Sequence, residues 1–157
     1  MYQKGDYLVY CKDVCVVKDI LEMRGEAYYA LSPLSDDSLS LKVPASNEFL
    51  RNVLTKDEAE NLIEHMSEIE TLDLNEKMLE HEYQALLASS SLEDLIKIIK
   101  TTYLRNLKRV DEGKKIGEKD DFYFKKAEKL LYTELSISLN LSYDETKEYI
   151  VNKLSTK

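Results

Sequence analysis

The residue types that most often carry chemistry in proteins are few in this chain and poorly spaced for it. Cys11 and Cys15 are the only cysteines, whereas a structural zinc site needs about four ligands. The histidines, His65 and His81, have neither ligand-like spacing to the cysteines nor the partner motif of a nucleophile–His–Asp triad. None of the isolated glycines forms a phosphate-binding G-x-x-x-x-G-K loop. The sequence therefore predicts no enzyme, no cofactor and no metal site, and it predicts cysteines that stay reduced.

Basic side chains are the one group whose distribution indicates binding. The net charge is −8, but residues 97–129 hold 11 basic and 6 acidic side chains. In a predicted helix over 92–112, several of the cations lie opposite an apolar stripe, and others follow in the next loop. Such a cluster could follow a phosphate backbone without reading bases, and the alternative is an ordinary solvated helix face. The candidate contacts are Lys97, Lys100, Arg105, Lys108, Lys114 and Lys115.

The first third of the chain reads as short strands. Residues 5–11 and 14–22 are rich in β-branched and aromatic types, with Lys12-Asp13 as a tight connection between them. Gly25 is free to take positive φ in the next turn. Further strands are predicted at 27–31, at 39–43 before Pro44, and at 49–54. Four or five strands at this spacing predict a small bent sheet or partly open barrel.

After Thr55 the sequence reads as about five helices. Capping patterns at Thr55–Glu58, Ser91–Asp94 and Ser142–Glu145 begin three of them, and Asp73 or Asn75 begins another. The first helix is expected to end near Glu68, the third to end at 112 with Gly113 as its C′ residue, and the fourth to cover 118–139. The apolar stripe of the third helix comprises Leu92, Leu95, Ile96, Ile99, Tyr103, Leu107 and Val110. The prediction is an α+β fold with a sheet module, 1–54, and a compact helical module, 55–157.

No apolar run approaches the roughly 20 residues of a membrane span. The start of the chain has no apolar segment after a basic region, unlike a signal peptide. These features predict a soluble cytoplasmic protein.

An ordered set of short motifs resembles the CarD/CdnL family of bacterial transcription regulators. In the sheet part they are Gly5-Asp6-x-x-Val9-Tyr10, Val14-Cys15, Asp19-Ile20, Tyr28-Tyr29-x-Leu31 and Leu39-Ser40-Leu41-Lys42-Val43-Pro44. In the helical part they are Leu87-Ala88-Ser89, Ile116-Gly117-Glu118-Lys119, Ala127, Leu130-Leu131 and Glu134-Leu135. The resemblance covers nearly the full length. It implies a Tudor-like bent sheet that docks on the RNA polymerase β subunit, and a five-helix domain that contacts promoter DNA and stabilises the open complex.

The resemblance also implies binding residues. Lys42, followed by Val43 and Pro44, occupies the basic position that contacts polymerase, and Arg24 lies near a second basic contact. Many family members begin the second C-terminal helix with a tryptophan that wedges into the minor groove, but this chain has none. Its segment 75–79 keeps one cation, Lys77, and offers Met78 or Leu79 as apolar substitutes.

Asp13 stands where family members commonly have a turn glycine. The expected protein is a monomer without cofactor that binds polymerase and, without sequence specificity, DNA. The alternative is a protein–protein adaptor, for polymerase or another partner, that makes no DNA contact.

Overall fold

The computed structural model of the chain describes residues 1–73, 75–89 and 91–155. The chain divides into two compact units, Met1–Leu54 and Thr55–Lys157. The first contains an antiparallel sheet and the second contains helices, so the predicted α+β class is confirmed. Within the described ranges, no helix is long and apolar enough to cross a membrane.

The sheet has five strands in the order β4-β3-β2-β1-β5, and every neighbouring pair is antiparallel. The strands are β1 (Tyr7–Tyr10), β2 (Asp13–Met23), β3 (Glu26–Pro33), β4 (Leu41–Pro44) and β5 (Leu50–Arg51). The predicted fifth strand is thus only two residues long. The pairing of β2 with β3 shifts register between Val17 and Asp19, and such a bulge bends the strand that carries it. The edge strands β4 and β5 do not pair with each other, so the sheet is open.

The turn between β1 and β2 differs from the prediction. Cys11 and Lys12 form it, with φ of 51° and 76°, while Asp13 already pairs with Tyr10 inside the sheet. Positive φ at both central residues is the requirement of a type I′ hairpin turn, whose twist matches that of the strands. The pairing register imposes this conformation on two residues that rarely adopt it. For this reason the sequence predicted the turn one residue later, at Lys12-Asp13.

One face of the sheet forms a buried core through cross-strand pairs. Leu8 lies opposite Cys15 on the neighbouring strand, and Val17 lies opposite Leu31. These side chains share a face because alternate residues of a strand point to the same side. The buried members of this core are Leu8, Cys15, Val17, Tyr29, Leu31 and Val43.

The second unit contains five α-helices. They are α1 (Lys56–Glu64), α2 (Glu76–Ala88), α3 (Leu92–Asp111), α4 (Glu118–Leu139) and α5 (Tyr143–Ser155). The first helix ends before the expected Glu68, and a single 3₁₀ turn, Met66–Glu68, follows it. The central helix is α4, which contacts the other four.

Two of the three predicted capping patterns form. The Thr55 hydroxyl accepts the Glu58 N–H at 3.1 Å, and the Glu58 carboxylate accepts the Thr55 N–H at 2.9 Å. Ser142 and Glu145 repeat this reciprocal capping box before α5. Ser91 is the N-cap of α3 by position, but its side chain makes no capping bond. The predicted start of α3 after Ser91 is therefore confirmed, but the predicted side-chain capping bond does not form.

Gly113 occupies the C′ position after α3, as predicted. This glycine has φ of 77°, and the next residue, Lys114, donates its N–H to the Arg109 carbonyl at 2.8 Å. The Gly113 N–H donates to the Val110 carbonyl at 3.0 Å. These two bonds are those of a Schellman motif, in which a residue with positive φ closes the last turn.

The apolar stripe predicted on α3 is only half buried. In the first half of the helix, Leu95 and Ile96 are buried as expected. In the second half, Tyr103, Leu107 and Val110 are exposed. The rest of the helical unit therefore covers only the first half of the stripe.

Candidate functional site

The edge strand β4 carries the predicted polymerase contact. It alternates an exposed Lys42 with Val43, which is buried in the sheet core. The Val43 side chain is therefore unavailable to a partner, contrary to the contact that the resemblance implies, and Pro44 is half-buried.

The main chain of Lys42 faces away from the sheet. Ala45 donates its N–H to the Ala27 carbonyl at 2.9 Å, so these two residues form a hydrogen-bonded pair. Hydrogen-bonded and non-hydrogen-bonded pairs alternate along antiparallel strands. Lys42, which pairs with Ala30, therefore directs its N–H and carbonyl to the open edge. Pro44 has no N–H, so Lys42 supplies the donor on this short edge.

Arg24 lies at the tip of the β2–β3 hairpin. With Gly25 it forms a type I′ turn, with φ of 52° and 80°. Ala30, the partner of Lys42, lies five positions after Gly25 in the chain, which corresponds to roughly 17 Å of extended strand. Lys42 and Arg24, the two predicted basic contacts for polymerase, are thus both exposed, but they are too far apart to form a single compact site.

The first turn of α2 contains the predicted wedge. The Asn75 side chain caps it by accepting the Met78 N–H at 3.2 Å. Lys77 and Met78 are exposed, whereas Leu79 is buried. Leu79 therefore cannot act as a wedge, and Met78 is the apolar side chain that this turn presents to solvent.

Lys100 does not lie on a free basic face. Its ammonium donates to the backbone carbonyls of Met66 at 3.0 Å and Ser67 at 3.3 Å, and also to that of Ile69. These carbonyls belong to the 3₁₀ turn and the residue that ends it. The charge of Lys100 is therefore used to hold this turn against α3, which changes its predicted role as a free phosphate contact.

Arg105 is likewise engaged inside the helical unit. Its Nε donates to the Asp120 carboxylate at 3.0 Å, and its Nη2 donates to Glu76 at 3.1 Å. Asp120 is buried and also accepts the Tyr83 hydroxyl at 2.9 Å. Arg109 lies close by, with its Nη2 3.6 Å from Glu76. We call these five residues the Asp120 network, which joins α2, α3 and α4.

The ionisation of this network reflects its contacts. Burial would lower the pKa of Arg105, but the hydrogen bonds and charges of Asp120 and Glu76 raise it. Burial, followed by the hydrogen bond to Asp120, raises the pKa of Tyr83. Arg105 thus stays charged and Tyr83 stays protonated, and both act as donors to one carboxylate.

An open cavity of about 380 Å³ adjoins the network. Arg105, Arg109 and Lys119 line it, and Glu76, Glu80, Glu118 and Asp120 line it as well. Lys119 is paired with Glu80 at 2.9 Å. Because the carboxylates outnumber the cations, the cavity has no excess positive charge with which to attract an anion.

Gly117 at the start of α4 accommodates the network. A Cβ at this position would lie 3.1 Å from the Arg109 Cζ, which is closer than most real contacts. The Asn106 side chain accepts the Gly117 N–H at 2.8 Å and holds the α3–α4 loop.

The remaining predicted cations are distributed over the C-terminal half of α3 and the following loop. Lys114 pairs with Glu112 at 3.2 Å, and both are solvent-exposed. Among the described contacts, Lys97, Lys108 and Lys115 have no carboxylate partner. The six-residue basic cluster therefore reduces to three unpaired side chains, of which Lys97 is half-buried.

Sequence reasoning missed two features of the helical unit. The Asp120 network could not be predicted, because no local pattern links Tyr83, Arg105 and Asp120, which lie 15 to 37 residues apart. The second feature is an exposed apolar surface on α3, formed by Tyr103, Leu104, Leu107 and Val110. We call it the α3 apolar surface. The sequence shows the periodicity of these apolar residues, but it does not show that they are exposed to solvent.

The two cysteines are free: Cys11 is exposed and Cys15 is buried. Burial raises the pKa of Cys15 to about 12, and the negative charge of Asp13 contributes in the same direction. In the part of the chain that the structure describes, no group of three metal-ligating side chains is present.

The sequence matches no protein-family model and no curated protein. The resemblance to CarD/CdnL regulators thus stays a hypothesis that rests on the motifs themselves.

Proposed function

We propose that this protein is a non-enzymatic transcription regulator of the CarD/CdnL type. In this proposal the sheet unit docks on the β subunit of bacterial RNA polymerase, and the helical unit contacts promoter DNA and stabilises the open complex. The ordered motifs along the chain support it, together with an antiparallel sheet followed by five helices.

The open edge of β4 is the observation that carries the proposal. Lys42 is exposed there, and its main-chain N–H and carbonyl point away from β3. A partner strand can add to such an edge through main-chain hydrogen bonds. The lysine charge would orient an acidic partner surface and speed association. One residue thus offers both kinds of contact.

The docking proposal is tested by capture of bacterial RNA polymerase with the full chain. Lys42→Glu is expected to reduce binding about tenfold or more, because it reverses a charge at the centre of the edge. Lys18→Glu is the matched control, since Lys18 is also exposed and lies in the sheet unit but on β2. Equal binding by the two variants, or no capture by the native chain at low salt, would remove the basis of the proposal.

The DNA contact is tested separately. Lys97→Glu/Lys108→Glu should shorten the open-complex lifetime and lower the salt dependence of DNA binding. Lys4→Glu/Lys56→Glu makes the same change in net charge outside the basic region. Lys100 is left unchanged because its reversal would disrupt the 3₁₀ turn. An unaltered lifetime in the first variant would show that α3 does not contact DNA.

A second candidate function is a protein–protein adaptor that makes no DNA contact. It is favoured by the internal pairing of Arg105 and Lys114, and by the capture of the Lys100 ammonium by carbonyls. DNA footprinting with and without polymerase distinguishes the two: an adaptor changes no protection pattern beyond that of polymerase alone.

A further inference from the structure

The α3 apolar surface is a stretch of helix whose apolar side chains lack a covering neighbour. Tyr103, Leu104, Leu107 and Val110 are 56%, 49%, 43% and 54% exposed. In the first half of the same helix the corresponding stripe is covered, and Ile96 is buried. The stripe therefore continues past the point where the rest of the helical unit covers it.

The arrangement of this surface is that of a helix–helix contact. Tyr103, Leu107 and Val110 are spaced i, i+4, i+7, which aligns them along one face. Leu104, three residues before Leu107, lies beside this line and broadens it. Amphipathic partner helices use the same spacing when they bind a helical surface. Three of the four side chains are aliphatic, which suits a protein partner better than a phosphate backbone.

The charges beside the surface specify the partner further. Lys97 and Lys108 lie on the same flank of α3 as Leu104, at i−7 and i+4, so that they bracket it. Neither has a carboxylate partner among the described contacts, and Lys108 is exposed. Lys100 lies on the same side, with its ammonium bound by the carbonyls of the 3₁₀ turn. On α3 itself this flank also carries two carboxylates, Glu93 at i−4 from Lys97 and Asp111 at i+3 from Lys108. The three lysines outnumber them, so the flank is basic.

A second copy of the chain fits this surface poorly. A two-fold contact brings the same patch of both copies together, so each copy would place its Lys97 and Lys108 against an equally basic surface. A partner with carboxylates beside its apolar stripe would neutralise these lysines instead.

We infer that the α3 apolar surface binds an amphipathic helix of a partner protein that carries acidic side chains beside its apolar stripe. This inference is independent of polymerase docking through β4, so either can fail without the other. It assigns Lys97 and Lys108 to a protein partner, so it replaces the DNA contact of α3 in the proposed function, and the duplex-DNA experiment below distinguishes the two.

The test uses the full chain and two synthetic helical peptides with identical leucine stripes at i, i+4, i+7 spacing. One peptide has glutamates on its flanks and the other has lysines. Fluorescence anisotropy should show binding of the glutamate peptide and at least tenfold weaker binding of the lysine peptide. Amide shift changes in NMR spectra should concentrate on residues 103–110.

Two valines provide a matched pair of variants. Val110 and Val151 both lie on helices, α3 and α5, and both are 54% exposed. Val110→Gln should weaken binding of the glutamate peptide about three- to tenfold, because about half a valine side chain no longer becomes buried. Val151→Gln should leave it unchanged. Glutamine is a good helix former, so both variants should fold.

Several outcomes would overturn the inference. Failure of both peptides to bind, or equal binding of both, would remove the acidic-helix partner. If the native chain binds duplex DNA and Val110→Gln weakens that binding, the surface would be assigned to nucleic acid. A dimer in sedimentation equilibrium that Val110→Gln dissociates would assign it to a second copy. A loss with Val151→Gln equal to that with Val110→Gln would exclude a specific surface on α3.

Discussion

Replacing Asp120 by asparagine should destabilise the helical unit far more than the same change at Asp121, its neighbour in the chain. Both residues lie in the first turn of α4, so the two substitutions remove the same charge from the same helix terminus. They differ in their surroundings. Asp120 is buried and bonded to Tyr83 and Arg105, whereas Asp121 makes an i,i+4 pair with an exposed Lys125 at 2.9 Å.

The magnitude follows from the contacts. Asparagine at 120 can still accept the Tyr83 hydroxyl, but its amide would face the Arg105 Nε with a second donor. A hydrogen bond to a charged group contributes about 1.5–3 kcal/mol, while breaking a buried pair costs about 3–5 kcal/mol. Arg105 is partly exposed and keeps Glu76 as a partner, which argues for the lower figure. Asp120→Asn should therefore cost about 2 kcal/mol, against about 0.5 kcal/mol or less for Asp121→Asn.

Urea unfolding followed by circular dichroism at 222 nm measures this difference, since the helices dominate that signal. For a unit of this size, the larger loss corresponds to a fall in Tm of roughly 10 °C. Tyr83→Phe should cost about 1 kcal/mol, because it removes one hydrogen bond while Asp120 keeps Arg105. Combined with Asp120→Asn, it should show non-additivity, as expected for residues that share a contact. Equal losses for Asp120→Asn and Asp121→Asn would refute the reasoning.

Three further predictions concern single side chains. Arg24→Asn should stabilise the sheet unit by about 0.5–1 kcal/mol in urea unfolding, since asparagine adopts positive φ at lower cost; destabilisation would contradict the assigned turn. With a thiol reagent at pH 8, Cys11 should react rapidly and Cys15 only after unfolding, because burial raises the pKa of Cys15 to about 12; two equally fast thiols would contradict this. Burial raises the pKa of Tyr132 to about 12, above the usual value of about 10. Stability should therefore fall by roughly 2–3 kcal/mol between pH 10 and 12. Tyr132→Phe should lack this component, and an identical pH profile would exclude it.

The features that the sequence predicted best depend on bonds between near neighbours. The capping boxes at Thr55–Glu58 and Ser142–Glu145 each join residues three positions apart. Gly113 ends α3 through bonds to the preceding turn. Because all partners of such motifs lie within a few residues, their positions can be read from the chain alone.

The β1–β2 turn shows where local reading stops. Cys11 and Lys12 are not typical of a turn with positive φ, and Asp13 looked like the better turn residue. The pairing of Tyr10 with Asp13 leaves two residues to close the hairpin. Strand register is a property of two paired segments. It thus imposes positive φ on Cys11 and Lys12, although residues of these types rarely adopt it.

The sequence by itself determined the α+β class, most helix boundaries and which side chains of α3 share a face. Only the tertiary structure decided which of those faces is covered and which cations are free. Arg105 and Lys100 counted as members of a basic cluster, yet Asp120 and the carbonyls of the 3₁₀ turn engage them from 15 and more than 30 residues away. Helical periodicity depends on the geometry of one segment, whereas burial and ion pairing depend on which distant segment packs against it.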